Sequence, residues 1–314
     1  MLNYLLRQGA ASLAVLFVVL TATFFLIQSA PGSLSILADP NLDPEVRATV
    51  ERSYGLDQPV FVQYAQWMGR LLQADLGNSF NFRRPVLEMI LERLPATLLL
   101  GAAALVITLV VGFSAGVIAA RHPNSPLDQV LSFVSFVGLA TPGFWLGIVL
   151  IIVFAVQLRV LPAAGMQTVG APFSLLDRLS YLLMPAIVLA AGTTAELMRY
   201  TRSSWLESMN QDYVRTARGK GLAENVVHGK HVLRNALVPV LTVFGLFLPR
   251  LVGGAAVIEA LFAWPGIGSM AVEAAVGRDA PLILGVTMFV SVAVILSNLV
   301  IDALYVLIDP RIRY

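Results

Sequence analysis

ATLLLGAAALVITLVVGFSAGVIAA, Ala96–Ala120, runs for 25 residues without a charge. At a rise of ~1.5 Å per residue such a helix is ~37 Å long, enough to cross the ~30 Å hydrocarbon layer of a bilayer. Strands of a membrane barrel would be ~10 residues long and would alternate apolar with polar. The stretch predicts a membrane helix, and the rest of the chain repeats the pattern. A first span covers about Gly9–Gln28, Ala96–Ala120 is the second, and the third covers about Val130–Val156. The fourth covers about Tyr181–Tyr200, the fifth about Ala236–Ile258, interrupted by Pro249-Arg250, and the sixth Pro281–Ile301. The expected fold is an all-α membrane protein with six transmembrane helices.

Composition agrees. Of 314 residues 57% are hydrophobic and 13% charged, and mean hydropathy is +0.78. Soluble domains are nearer one quarter charged. A net charge of +2, dispersed along the chain and without a base-stacking motif, gives no footprint for nucleic acid. Cysteine is absent, which excludes disulfides, thiolate metal sites and cysteine nucleophiles. At the N-terminus Arg7 precedes the apolar run Gly9–Ile27. The run is too long for a typical signal-peptide core, and Pro31 follows the cleavage candidate Ala30, so it reads as a retained helix.

Orientation is read from Lys and Arg in the short loops. With the N-terminus inside, eleven such residues face the cytoplasm: Arg7, Arg121, the seven from Arg199 to Arg234, Arg311 and Arg313. Three, Arg159, Arg178 and Arg278, face outward. Both termini are then cytoplasmic. The long first outer loop is expected to hold short helices, with Asp43 as an N-cap before Pro44. Phe61, Tyr64, Gln66, Trp67 and Leu71 there have amphipathic spacing. That segment reads either as a helix at the membrane interface with Trp67 as a belt aromatic, or as surface for an external partner. In Phe262–Met270, FAWPGIGSM, Pro265, Gly266 and Gly268 predict a turn and a short re-entrant or lid-like element.

One polar stretch interrupts this apolar chain. Gln211–Pro239, QDYVRTARGKGLAENVVHGKHVLRNALVP, holds both lysines and two of the three histidines. Asp212 is placed to cap a helix beginning at Tyr213. Tyr213, Ala217 and Gly221 fall at i, i+4 and i+8 on one side, with small residues where a partner's backbone could approach. Arg215, Arg218 and Lys220 point elsewhere. Gly219 and Gly221 end the helix near Leu222. A second helix, about Ala223–Asn235, follows a weak cap at Ala223. A basic loop that only fixes topology would account for the charge equally well.

The wording of this stretch goes further. DYVRTARGKGL followed by HVLRNALVP resembles the EAA-type loop of binding-protein-dependent ABC import permeases, in the peptide/nickel branch. YGLDQP (Tyr54–Pro59), DLGNS (Asp75–Ser79), RPV (Arg84–Val86), LPATL (Leu94–Leu98), RYTRSSWLE (Arg199–Glu207), FAWPGIG (Phe262–Gly268), Asn298…Asp302…Tyr305 and DPRIRY (Asp309–Tyr314) fit the same branch. The chain departs from it at PGSL (Pro31–Leu34) and at Gly219, where alanine is usual; a helical glycine costs up to ~1 kcal/mol.

The resemblance implies a B-type permease subunit of the dipeptide/oligopeptide/nickel import family, with the type I ABC importer transmembrane fold, in a bacterial or archaeal inner membrane. It implies an N-terminal helix over 1–28, an outer helical region over 29–93, a permease core over 94–307 with a coupling loop at 202–235, and a cytoplasmic tail over 308–314. It also implies a second, related permease, two ATPase domains and an extracytoplasmic solute-binding protein as partners. Asp212, Tyr213, Arg215, Ala217, Arg218, Lys220 and Gly221 would then dock on the ATPase. The chain is expected to be no enzyme and to carry no cofactor. Neither lysine stands in a GxxxxGK[ST] loop, so ATP and Mg belong to the partner ATPases. Cargo is expected to be a di- or oligopeptide, with nickel chelate, glutathione or an opine-like conjugate as alternatives. An autonomous secondary transporter or channel, or a membrane scaffold, are the readings outside this class.

Arg250, inside the fifth span beside Pro249, is the candidate residue of the substrate path; a structural ion pair with the partner permease is the alternative. Glu196 is expected to pair locally with Arg199. His122, His228 and His231 fall in cytoplasmic segments and the methionines do not cluster, so no metal path is expected.

Overall fold

The computed structural model describes residues 2–29, 43, 45, 48–49, 52, 55, 57–245 and 247–308, without the side chains at 2–6, 238, 242, 248–254 and 302–308. Every regular element among them is helical. In chain order these are α1 (Leu2–Ser29), α2 (Val60–Leu71), α3 (Val86–Ile107), a π-helical turn (Thr108–Gly112) and α4 (Phe113–Arg121). Then come α5 (Pro126–Ala140), α6 (Gly143–Leu150) with its π-helical extension (Ile151–Gln157), and α7 (Leu175–Met209). The chain continues with α8 (Asp212–Gly219), α9 (Glu224–Val226), a π-helical turn (Val227–Val232), α10 (Leu233–Gly245), α11 (Phe247–Leu261), α12 (Ile267–Val276) and α13 (Ala280–Ile308).

Among the described residues four helical stretches are long and apolar enough to cross a bilayer: Arg7–Ser29, Val86–Arg121, Leu175–Met209 and Ala280–Ile301. The third expected span is not one straight helix. α5 and the α6 stretch meet at 106°. Pro142 explains the break: it has no N–H to give, and it holds Thr141 in extended backbone (φ −85°, ψ 121°). The fifth expected span falls on α10 and α11, of 13 and 15 residues. Residue 246, between them, lies outside the described residues.

The chain forms two compact units. The first comprises residues 1–97 and 265–295. In it Val86, Met89, Ile90, Ile267, Met270, Ala274, Leu282 and Val286 make one core. A second core joins α1 to α2: Trp67 stacks on Phe24 at 5.3 Å between ring centroids, and Tyr64 hydrogen-bonds Thr21 at 2.8 Å. Trp67 is therefore buried within the unit, against α1. Asp43 acts as expected, accepting the Glu45 N–H at 2.8 Å. The motif pieces DLGNS and LPATL meet residues 267–282 here. Fully buried Asp279 accepts from the Ser79 hydroxyl, from the Phe80 and Asn81 N–H groups at 3.2 and 3.0 Å, and from Leu282 N–H at 3.2 Å, capping α13. Thr97 Oγ1 accepts Ile267 N–H at 2.8 Å, capping α12.

The second unit comprises residues 98–264 and 296–313, with α7 as the element on which α4, α5, α6, α10 and α11 pack. Close approach is built on glycine. A Cβ on Gly116 would lie 2.6 Å from Thr201 Cβ and 2.7 Å from Met198 O; one on Gly112 would lie 2.9 Å from Thr194 O. This Gly112-x-x-x-Gly116 face lets helix backbones meet where lipid supplies no hydrophobic drive between them. Thr108 and Thr193 share a hydrogen bond of 2.8 Å in the same seam.

Candidate functional site: the basic loop between α7 and α10

α7 ends at Met209 and Gln211 turns the chain into α8 with extended backbone and no side-chain cap bond. The helix thus starts one residue earlier than expected. Asp212 is its first residue, not its cap, and it meets Arg215 Nη1 at 3.5 Å across one turn. A carboxylate in the first turn still favours the helix electrostatically.

The inward face of α8 is Val214 and Ala217, 0% and 3% exposed. They pack with Ala120, Trp205, Val227, Val232 and Ala236. Of the expected contact residues Tyr213, Ala217 and Gly221, one is turned inward. Ala217 faces its own chain, while Tyr213 and Gly221 are exposed. The reason is the second apolar residue, Val214. The pair Val214/Ala217 at i, i+3 makes the hydrophobic stripe of an otherwise charged helix, and the chain covers it.

The C-terminus of α8 closes as glycine allows. Gly221 is left-handed at φ +74°. Its N–H bonds Arg218 O at 2.9 Å and the Leu222 N–H reaches Ala217 O at 3.4 Å. These two bonds are those of a Schellman cap. The next helix begins at Glu224, after Ala223 at the N-cap position, which makes no side-chain cap bond. It runs through Glu224–Val226 and the π-helical Val227–Val232 into α10.

Two charged contacts brace the loop. Arg218 Nε and Nη2 donate to Glu224 Oε1 and Oε2 at 2.8 and 3.1 Å. This bidentate pair holds the Glu224 carboxyl below its usual range, and the His228 charge assists. His228 stacks on Trp205, with ring centroids 5.9 Å apart, and its Nε2 lies 3.5 Å from Glu224 Oε2. Burial is the main cause pushing the His228 pKa down; the Arg121 and Arg218 charges add to it and Glu224 opposes. Trp205 Nε1 and His228 Nδ1 are both buried without a hydrogen-bond partner among the described residues. Arg215 and Lys220 stay exposed on the outer face with Tyr213.

Behind this loop α7 is clamped to α5. Asp128, buried, accepts Arg202 Nε and Nη2 at 2.7 and 2.8 Å, the Asn124 N–H at 2.9 Å and the Ser132 hydroxyl at 3.3 Å. Arg202 lies one turn before Trp205, so the clamp sits directly behind the seat of α8. Further along α7, an open groove of about 700 Å³ is lined by Phe136, Glu196, Arg199 and Tyr200, with the Arg199 guanidinium 4.9 Å over the Phe136 ring. Arg250 falls in α11, but its side chain lies outside the described residues. Among the described residues no cluster of three His, Asp or Glu is placed to hold a metal.

Sequence reasoning missed Asp128, Arg202 and the Trp205–His228 stack. Ser125-Pro126 with Asp128 three residues after Ser125 is a helix-start signature and would have located the first. Nothing local announces its partner 74 residues away.

Residues 112–314 match the family described as binding-protein-dependent transport system inner membrane component, and residues 1–101 match its N-terminal region. The chain is 42% identical to the oligopeptide transport system permease protein AppB of Bacillus subtilis over the whole of both chains. It is 41% identical to a putative peptide permease protein of Brucella suis, covering 100% of this chain and 99% of the other. It is 38% identical to the glutathione transport system permease protein GsiC of Escherichia coli, again end to end. In fold it is similar to a subunit of the inward-facing MetNI methionine ABC transporter, at 17% identity and a TM-score of 0.59, covering 71% of this chain and 97% of that one. A second likeness, to an amino acid ABC transporter, has a TM-score of 0.51 at 15% identity and covers 72% and 94%. With both parts of the sequence matched and relatives aligned from end to end, the chain belongs to the binding-protein-dependent transport system inner membrane components, the membrane-embedded permease subunits of ABC importers.

Proposed function

We propose that this permease passes di- or oligopeptides inward through a multi-pass membrane assembly, and that α8 is where a cytoplasmic ATPase subunit grips it. The observation that carries the reading is the construction of α8. It is a short helix, closed at its C-terminus by Gly221 and seated by Val214 and Ala217 on Trp205, with Tyr213, Arg215 and Lys220 left outward. A rigid seat is what a helix needs to pass force on. Motion of α8 would be felt at once by α7, through Trp205, and by α10, through Val232 and Ala236. The outward residues suit helix-in-groove docking, with an aromatic anchor and cations for an acidic rim.

Peptide cargo is supported by the relatives named for oligopeptide and peptide transport. The exposed Arg199 in the groove beside α5 gives a cation that could meet a peptide carboxylate. Arg250 is a second candidate in the path. The remaining partners in this reading are a second, related permease, two ATPase domains holding ATP and Mg, and a solute-binding protein outside the membrane. Both termini of the chain lie in the cytoplasm.

The test is reconstitution of the permease pair, ATPases and binding protein in liposomes. Peptide uptake driven by ATP, lost when Tyr213→Ala and Arg215→Glu are combined, supports the reading. Uptake by this chain alone without an ATPase, or an unaltered rate in the double variant, overturns it.

A further inference from the structure

The C-terminal turn of α1, the α2 helix and the first turn of α13 enclose a pocket of about 340 Å³. Its floor is aromatic, made by the stacked pair Phe24 and Trp67, each 8% exposed. Its polar lining includes Gln28, Gln66, Arg70 and Asp75. The wall is fixed: Gln28 donates to Gln63, Gln63 donates to the Gln58 carbonyl at 2.8 Å, and Asp75 Oδ1 holds the Gly77 N–H at 2.8 Å.

The depth of the pocket follows from α1. About 20 residues fill the hydrocarbon layer, and the apolar stretch Arg7–Ser29 has 23. Gln28 therefore stands in its last turn, at the level of lipid headgroups, and Phe24 about one turn deeper, at the edge of the hydrocarbon. α1 is also bare along much of its length, with Leu13, Val15, Phe17 and Val18 each more than half exposed, as expected of a helix that faces lipid. A tryptophan and a tyrosine at this level are characteristic of the membrane–water boundary.

The charges narrow the ligand. Among the described residues that line it, one guanidinium and one carboxylate stand among neutral amides. A simple anion would be opposed by Asp75 and a simple cation by Arg70, whereas a zwitterion satisfies both. Arginine and amide N–H groups suit a phosphodiester, a carboxylate suits a primary ammonium, and the aromatic floor suits the glycerol and first acyl carbons. A free dipeptide shares the charge pattern, but only a lipid is held at this depth by its own chains. We propose that the pocket binds the headgroup of a phosphatidylethanolamine-type lipid, in the leaflet reached by the C-terminal end of α1.

The experiment is native mass spectrometry of the full chain within its purified, delipidated complex, titrated with phosphatidylethanolamine, phosphatidylglycerol or dialanine. The expected result is preferential retention of phosphatidylethanolamine over phosphatidylglycerol by about tenfold, the equivalent of one charge-assisted hydrogen bond. Arg70→Gln with Asp75→Asn, which keeps the acceptor for Gly77, is expected to abolish the preference while melting temperature is unchanged. Should that double variant fail to assemble, Gln66→Glu, which sets an anion against the phosphodiester, is expected to lower phosphatidylethanolamine retention by about fivefold. Equal retention of the two lipids by the wild type, unaltered retention in the variants, or displacement of the lipid by dialanine would overturn the proposal.

Discussion

Trp205 and His228 lie face to face, ring centroids 5.9 Å apart and planes 16° apart. The first belongs to the last turns of α7 and the second to the π-helical start of α10, so this one stack ties the two ends of the basic loop together. Trp205 is 3% exposed and touches Val214 and Ala217 as well. Trp205→Ala is expected to cost about 3–5 kcal/mol, the range for deleting a buried aromatic. Limited proteolysis should then cut within 211–222 faster than in the wild type.

The same stack predicts a pH dependence. The His228 pKa is below its unfolded value of 6.5, so the unfolded chain takes up the proton first. The stability that neutral His228 supports is present above pH 6.5 and is lost as pH falls through the lower folded pKa. Glu224, held below its ordinary 4.5, acts in the same direction in a more acidic window. Protection factors of the loop amides, corrected for intrinsic exchange, should fall from pH 8 to pH 5.5. In His228→Phe, which keeps the stack and cannot charge, the change over that window should largely vanish.

The Asp128–Arg202 pair gives a third expectation. Asp128 has 3% of its side chain exposed and Arg202 30%. Arg202→Met should destabilise by about 2–3 kcal/mol, somewhat below the cost of stranding one member of a fully buried pair. Replacing both, as Asp128→Leu with Arg202→Met, should recover part of the loss, because no buried charge remains. Thermal unfolding in detergent would measure both.

The two faces of α8 should respond differently. Ala217→Phe overfills the seat and is expected to lower the stability of the isolated chain by about 1–3 kcal/mol with no ATPase present. Tyr213→Ala with Arg215→Glu changes only exposed groups. It should leave the melting temperature within error while co-purification of the ATPase falls. Should Ala217→Phe melt like the wild type and yet block the ATPase, Ala217 would after all face outward.

A last prediction concerns the other unit. Asp279 accepts from Phe80, Asn81 and Leu282 backbone N–H groups and from Ser79. Asp279→Ala strands these donors in a buried place and should cost at least about 3 kcal/mol. Asp279→Asn, which keeps an acceptor, should cost visibly less. Unfolding midpoints of the two variants give the comparison.

Much of this protein is written locally. Uncharged runs such as Ala96–Ala120 need only length and composition to declare themselves membrane helices. Gly221 after a basic helix announces its cap, because few other residues tolerate that backbone at low cost. The motif runs from Tyr54 to Tyr314 were enough to suggest the family. Three-dimensional packing decided the rest. Periodicity says that α8 has a stripe but not what covers it, and only the fold shows that Val214 and Ala217 turn inward onto Trp205. Asp128 and Arg202 are 74 residues apart and Ser79 and Asp279 are 200 apart. A charge carries no mark of its partner until the chain has folded and excluded the water that would otherwise solvate it.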